Sequence, residues 1–182
     1  NDTICDNGSV DAQVRIYFSG ATSPFTFVYA INGVNQPSID STTDNPYILN
    51  TREEGSYTIH SFTDANNDTG TIVGSAWVTV NQAPTPYFEA QPDSMDILYT
   101  TTQLIDKSEG NIINWQWDFG DITPPDFSKN PYHTYKDSIA VYKVNLIIHD
   151  DKGCTDTAFK HVQITDEYWM YIPNSFTPDL DG

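Results

Sequence analysis

The chain has 182 residues, and its 25 acidic side chains face only 8 basic ones, a formal charge of −17. That balance excludes binding along a nucleic-acid backbone, where Lys and Arg must replace counterions, and argues against docking on an anionic membrane. No apolar run approaches the roughly 20 residues a membrane helix needs, whereas 11 Tyr, 9 Phe and 4 Trp suit pleated, half-buried strands.

Turn-forming clusters of Gly, Pro, Asn and Asp break the sequence at short intervals, the punctuation of an all-β chain. In the first half, strands are predicted near Val10–Phe18, Phe25–Ile31, Tyr47–Asn50, Tyr57–Phe62 and Thr71–Val80. Val10, Ala12, Val14, Ile16 and Phe18 alternate with Asp11, Gln13, Arg15 and Tyr17, so one face should be buried and one wet. Asn32-Gly33 is a tight-turn signal. Asp64, Asn66 and Asp68 alternate like the start of a calcium loop, but Thr69 stands where that loop needs Gly. An ordinary polar connection is the favoured reading there.

Asn81-Gln-Ala-Pro-Thr-Pro86 has two prolines and no large apolar residue, which marks a domain boundary. Beyond it, strands are predicted near Tyr87–Ala90, Ile97–Ile105, Ile112–Phe119, Ala140–His149 and Thr155–Ile164. Trp115, Trp117 and Phe119 share a face, as do Tyr142, Val144, Leu146 and Ile148. Asp150-Asp-Lys-Gly153 reads as a hairpin turn. The expected architecture is two tandem β-sandwiches, residues 1–82 and 87–165, joined by a linker at 83–86 and followed by an extended tail from 166 to 182. Each sandwich has about 80 residues, a size that leaves little room for a deep ligand pocket.

No catalytic motif is present: Gly-x-Ser-x-Gly, His-Glu-x-x-His and a phosphate-cradling Gly loop are all missing. The four histidines are scattered, and His133 reads as a loop-ordering residue. Asp118 and Asp121 flank Phe119-Gly120 at a strand end, where turn-stabilising side-chain bonds outweigh a metal or an acid pair. Asp179 and Asp181 next to Gly182 admit Ca²⁺ as a secondary reading; otherwise no cofactor is expected. Cys5 and Cys154 are far apart in sequence and fall in different predicted domains, so they are expected not to bond to each other.

Trp115-Gln-Trp-Asp-Phe-Gly-Asp121, Asn130-Pro-Tyr-His-Thr-Tyr135, Tyr142-Lys-Val-Asn-Leu146 and Gly153-Cys-Thr-Asp156 together resemble a PKD domain, an immunoglobulin-like sandwich of extracellular proteins. The resemblance implies a core built on Trp117, Phe119, Tyr142 and Val144, with Tyr142 as the tyrosine corner. Ile122 and Ala140 stand where the family usually has Gly. In the first half, Cys5-Asp-Asn-Gly8, Pro24-Phe-Thr-Phe-Val-Tyr29, Tyr57-Thr-Ile59, Asp64-Ala65 and Gly74-Ser-Ala-Trp-Val-Thr-Val80 resemble Ig-like repeats of Bacteroidota surface proteins. Where those repeats carry a second Cys, this chain reads Asp68-Thr-Gly-Thr71, so the resemblance leaves Cys5 without its usual partner.

The end of the chain, Tyr171-Ile-Pro-Asn-Ser-Phe-Thr-Pro-Asp-Leu-Asp-Gly182, resembles the opening of the gliding-motility-associated type B C-terminal domain. The matching residues are Ile172, Pro173, Asn174, Phe176, Thr177, Pro178, Asp181 and Gly182. This resemblance implies export by the type IX secretion translocon and a PorP/SprF-like outer-membrane partner. It further implies the cell surface of a Gram-negative bacterium and a gliding adhesin of the SprB type, with an extracellular glycan or surface ligand upstream. With no Met start and an end inside a turn-like sequence, the chain reads as a fragment. The rival reading is a secreted hydrolase in which these domains are spacers or glycan binders. Trp77 and Trp115 are then the candidate sugar platforms, and both are expected to be partly buried.

Overall fold

The computed structural model describes residues 1–8, 10–136 and 139–166. Among them every regular element is a strand. By contacts the chain divides into two compact units. The first takes in Asn1–Thr85, Gly110–Ile113 and His149–Asp156; the second takes in Pro86–Glu109, Asn114–Ile148 and the chain from Thr157.

The first unit holds β1 (Asp2–Cys5), β2 (Ala12–Ile16), β3 (Phe25–Ile31), β4 (Val34–Asn35), β5 (Ile39–Thr42), β6 (Tyr47–Thr51), β7 (Gly55–Thr63) and β8 (Ala76–Asn81). Its main sheet runs β1-β8-β7-β3-β4, with β5 also on β3, and β2 pairs β6 in a separate ribbon. The period-2 pattern of β2 brings Ala12 and Val14 against Ile4, Ile31, Tyr57 and Val78 in one core. A second, aromatic core forms where Phe18, Phe25 and Phe27 meet, with Phe18 stacked on Phe25 at 4.3 Å. Val10, expected on the buried face, lies before β2 begins and is exposed.

Asn32-Gly33 makes the β3–β4 turn, with φ of 52° and 80°. Positive φ at both positions matches the right-handed twist of the flanking strands. The Asn32 side chain then accepts from the Ser56 amide at 2.9 Å and donates to the Glu54 carbonyl at 3.3 Å, tying the turn to the start of β7.

The strand expected at Thr71–Val80 begins only at Ala76, and residues 71–75 are irregular. Gly74 takes a φ of +84° there, which turns the chain out of the ladder. As a result β8 pairs β7 over Gly55–Tyr57 alone.

The second half of the sequence supplies β9 (Phe88–Gln91), β10 (Ser94–Asp96), β11 (Thr101–Asp106), β12 (Ile112–Asp118), β13 (Tyr132–Thr134), β14 (Ala140–Asp150) and β15 (Thr155–Thr165). One sheet runs β10-β15-β14-β12 and the other β13-β11-β9. The inward residues of β14, Val144, Leu146 and Ile148, are fully buried, as are Leu104, Trp117 and Val162. The strand expected from Ile97 starts instead at Thr101. Asp96 intervenes, its Oδ1 accepting from the Leu98 amide at 2.7 Å and the Tyr99 amide at 3.0 Å. A carboxylate that captures nearby amides offers the backbone a turn in place of a ladder.

One expectation is overturned outright. Cys5 and Cys154 form a disulfide, with Cα atoms 5.8 Å apart and a sequence separation of 149. The hairpin tip His149–Asp156 belongs by contacts to the first unit, together with β1. Asp150 shapes that tip, its Oδ1 accepting from the Lys152 amide at 3.0 Å and the Cys154 amide at 2.7 Å. Asn7 reaches it too, donating from Nδ2 to the Thr155 carbonyl at 2.6 Å. Assigning each Cys to a sequence domain placed them apart; the packing of the hairpin tip places them together.

Candidate functional site

The densest gathering of acid, histidine and aromatic side chains lies where β12 ends. Strand alternation sends Trp117 and Phe119 inward and leaves Asp118 outward. Trp117 is 0% exposed. Its Nε1 donates to the Ser128 carbonyl at 2.9 Å, and its ring meets Phe88 edge-on at 5.0 Å. Gly120 follows at φ +77°, and a Cβ there would stand 2.6 Å from the Lys143 carbonyl oxygen. This is a close backbone approach that only glycine tolerates.

Asp118 and Asp121 face different partners. Asp118 Oδ1 accepts from the Gly120 amide at 3.0 Å, and its Oδ2 accepts from Asn145 at 3.3 Å. Asp121 Oδ1 takes the Thr123 amide and hydroxyl, and its Oδ2 lies 2.8 Å from His133 Nε2. Burial pushes the Asp121 carboxyl up, but the hydrogen bonds from Thr123 and His133 outweigh it and hold the group below the usual carboxylate range. The His133 ring stacks on Phe119 at 3.8 Å and meets Tyr135 edge-on at 4.6 Å.

Tyr135, which the sequence did not single out, is the buried tyrosine of this region. Its hydroxyl donates to the Phe119 carbonyl at 3.2 Å. Burial, with the nearby Asp121 charge, pushes that hydroxyl well above its ordinary value. Tyr142, assigned the corner role from the family pattern, is half-buried and stacks on Tyr135 at 4.1 Å. Val144 is fully buried beneath it on β14. A Tyr buried at a strand end, with a hydroxyl pointing at a backbone carbonyl, is a signal that spacing alone could not separate from Tyr142.

An Asp–His pair can orient a general base. Here both side chains are about nine-tenths buried, and an aromatic ring covers one face of the imidazole. The geometry suits a clasp that locks the β12–β13 connection. Its one strained member is Ile122, at φ 62° with its side chain fully exposed. A β-branched residue in the left-handed region is a steric outlier that costs about 1–2 kcal/mol. Ile122→Gly is therefore expected to stabilise the chain by about 1 kcal/mol, read as a higher urea midpoint at unchanged slope.

The other sequence candidates are placed as follows. Asp64 closes its loop on itself: Oδ2 accepts from the Thr22 amide at 3.0 Å, and Oδ1 from the Asn66 and Asp68 amides at 2.8 and 3.0 Å. Those backbone bonds, that from Thr22 foremost, hold its carboxyl below the usual range. Trp115 is half-buried, with Lys129 Nζ 5.5 Å from its ring centroid. Trp77, expected to be partly buried, is 46% exposed on β8. Strand alternation on β8, which lies between β1 and β7, turns Val78 inward and so points Trp77 away from the core. The first unit also has a cleft of about 610 Å³, lined by Ile16, Phe18, Tyr29, Ile59, Phe62 and the 69–75 loop. Among the described residues no His, Cys, Asp and Glu group has the geometry to hold a metal ion. Asp179 and Asp181, and the whole motif from Ile172 to Gly182, lie outside the described residues. No described helix is long and apolar enough to cross a membrane.

The family model for the PKD domain matches residues 81–165. The pre-pro-metalloprotease PrtV of Vibrio cholerae serotype O1 is 30% identical over 99 residues, 54% of this chain and 10% of that protein. The chain thus spans about a tenth of the length of this curated relative. Among solved structures, the PKD1 domain of Vibrio anguillarum Epp is 28% identical, covering 48% of this chain and 99% of its own, with a TM-score of 0.41. The PKD1 domain of V. cholerae PrtV is 27% identical, covering 47% and 99%, with a TM-score of 0.39. A PKD domain is therefore recognised in the second half of the chain, and the all-β sandwich class holds for the described residues.

Proposed function

We propose that the chain is a non-catalytic spacer in the extracellular part of an exported protein, and more specifically the stalk of a gliding-motility adhesin of a Gram-negative bacterium. The observation that carries the spacer reading is the closed clasp at the end of β12. The acid and imidazole groups gathered there are bonded to Thr123 and to each other, so they order the sandwich. The Cys5–Cys154 bond suits an oxidising compartment.

The adhesin reading rests on the tail motif from Ile172 to Gly182. That motif makes the type IX translocon and a PorP/SprF-like outer-membrane protein the partners. A reporter joined to residues 84–182 and the native sequence beyond them should then leave a type IX-competent cell. Deleting the chain from Tyr171 onward should strand the protein in the periplasm with its sandwiches folded. Undiminished surface display of that truncated protein would refute the export assignment.

A second reading has its own support. The match to a metalloprotease supports reading these domains as spacers of a secreted hydrolase whose catalytic domain lies upstream. The parent gene separates the two: repeated Ig-like units upstream favour the stalk, and one hydrolase domain favours the spacer of an enzyme.

A further inference from the structure

Tension on an extracellular stalk travels along covalent bonds, so the shortest covalent path between its ends sets which residues feel it. Cys5 closes β1 near the start of the chain, and Cys154 directly precedes β15. Their bond joins positions 149 apart in sequence. We infer that this disulfide is a tension bypass, which takes residues 6–153 out of the force path and confines a pull along the chain to β1 and β15. The benefit to the cell rests on the stalk reading above; the effect on the chain does not.

The two strands left in the path are both held laterally. β1 runs parallel to β8 from Asp2↔Val78 to Cys5↔Asn81. Just past the cysteine, the Asp6 amide donates to the Asn81 carbonyl at 2.9 Å, and the Ala83 amide donates to Asp6 Oδ1 at 2.8 Å. β15 lies between β10 and β14, with Ser94↔Gln163 to Asp96↔Thr165 as its parallel register. A pull along either strand runs across its ladder bonds, so it must shear several rungs together. The anchor itself is protected: Cys154 is 0% exposed, and Asp150 holds its amide.

The test is single-molecule pulling of the full chain by its termini, oxidised and then reduced. In the oxidised chain only the residues before Cys5 and after Cys154 can pay out. The fully extended distance between the termini should stay near 120 Å at roughly 3.6 Å per residue. Reduction, or Cys5→Ala, should add about 500 Å by the same measure. An oxidised chain that releases the longer length, or a reduced chain that releases no more than the oxidised one, overturns the bypass. Because the pulling experiment uses the isolated chain, its result stands whatever the export experiment returns.

Discussion

Trp117→Ala is expected to lower the unfolding free energy by about 3–5 kcal/mol, the range for emptying a large aromatic site in a core. The ring is fully buried and packs edge-on against Phe88, so its removal opens a cavity that the surrounding strands cannot close. The loss has a second part. The Ser128 carbonyl accepts from the indole Nε1 at 2.9 Å, and the alanine variant loses that bond, a contribution of about 0.5–1.5 kcal/mol. Against a total stability of about 5–15 kcal/mol, the PKD sandwich should be close to unfolding at room temperature. Urea titration of the full chain, followed by circular dichroism, measures this. A loss below about 1 kcal/mol would mean that the ring does not support the core, and would reopen a ligand-binding role for this strand.

Reducing the Cys5–Cys154 bond should cost about as much by a different route. A cross-link acts mainly on the unfolded chain, whose entropy it restricts, and the effect grows slowly with the length of the closed loop. For a loop of 149 residues the chain-entropy estimate is about 5 kcal/mol. The comparison is denaturant unfolding of the oxidised chain against the same chain under reductant, which leaves every side chain volume in place. A change under about 1 kcal/mol would show that the unfolded chain is already compact near these two cysteines.

The parts of this protein written in local spacing are legible in the sequence. The alternation in β2 sets Ala12 and Val14 inward, Asn32-Gly33 supplies the positive φ its turn requires, and Trp115-Gln-Trp-Asp-Phe-Gly-Asp121 identifies the PKD strand. Each depends on neighbours within a few residues, where side-chain direction and backbone sterics decide the outcome. Strand ends were less legible, because a single carboxylate such as Asp96 or a single turning glycine such as Gly74 can outcompete the ladder. Short strands such as β5 and β13 carry too few alternating residues to stand out from the loops around them.

By itself, then, the sequence determined the all-β class, the buried Trp and the absence of any familiar catalytic motif. The tertiary structure alone decided which tyrosine is buried, since Tyr135 and Tyr142 differ only in what packs over them. It alone joined Asp121 to His133 across a 12-residue gap. And it alone decided the partner of Cys5. A disulfide needs two Cα atoms within about 7 Å, and that distance is set by how a distant hairpin tip packs, which no pattern of neighbouring residues encodes.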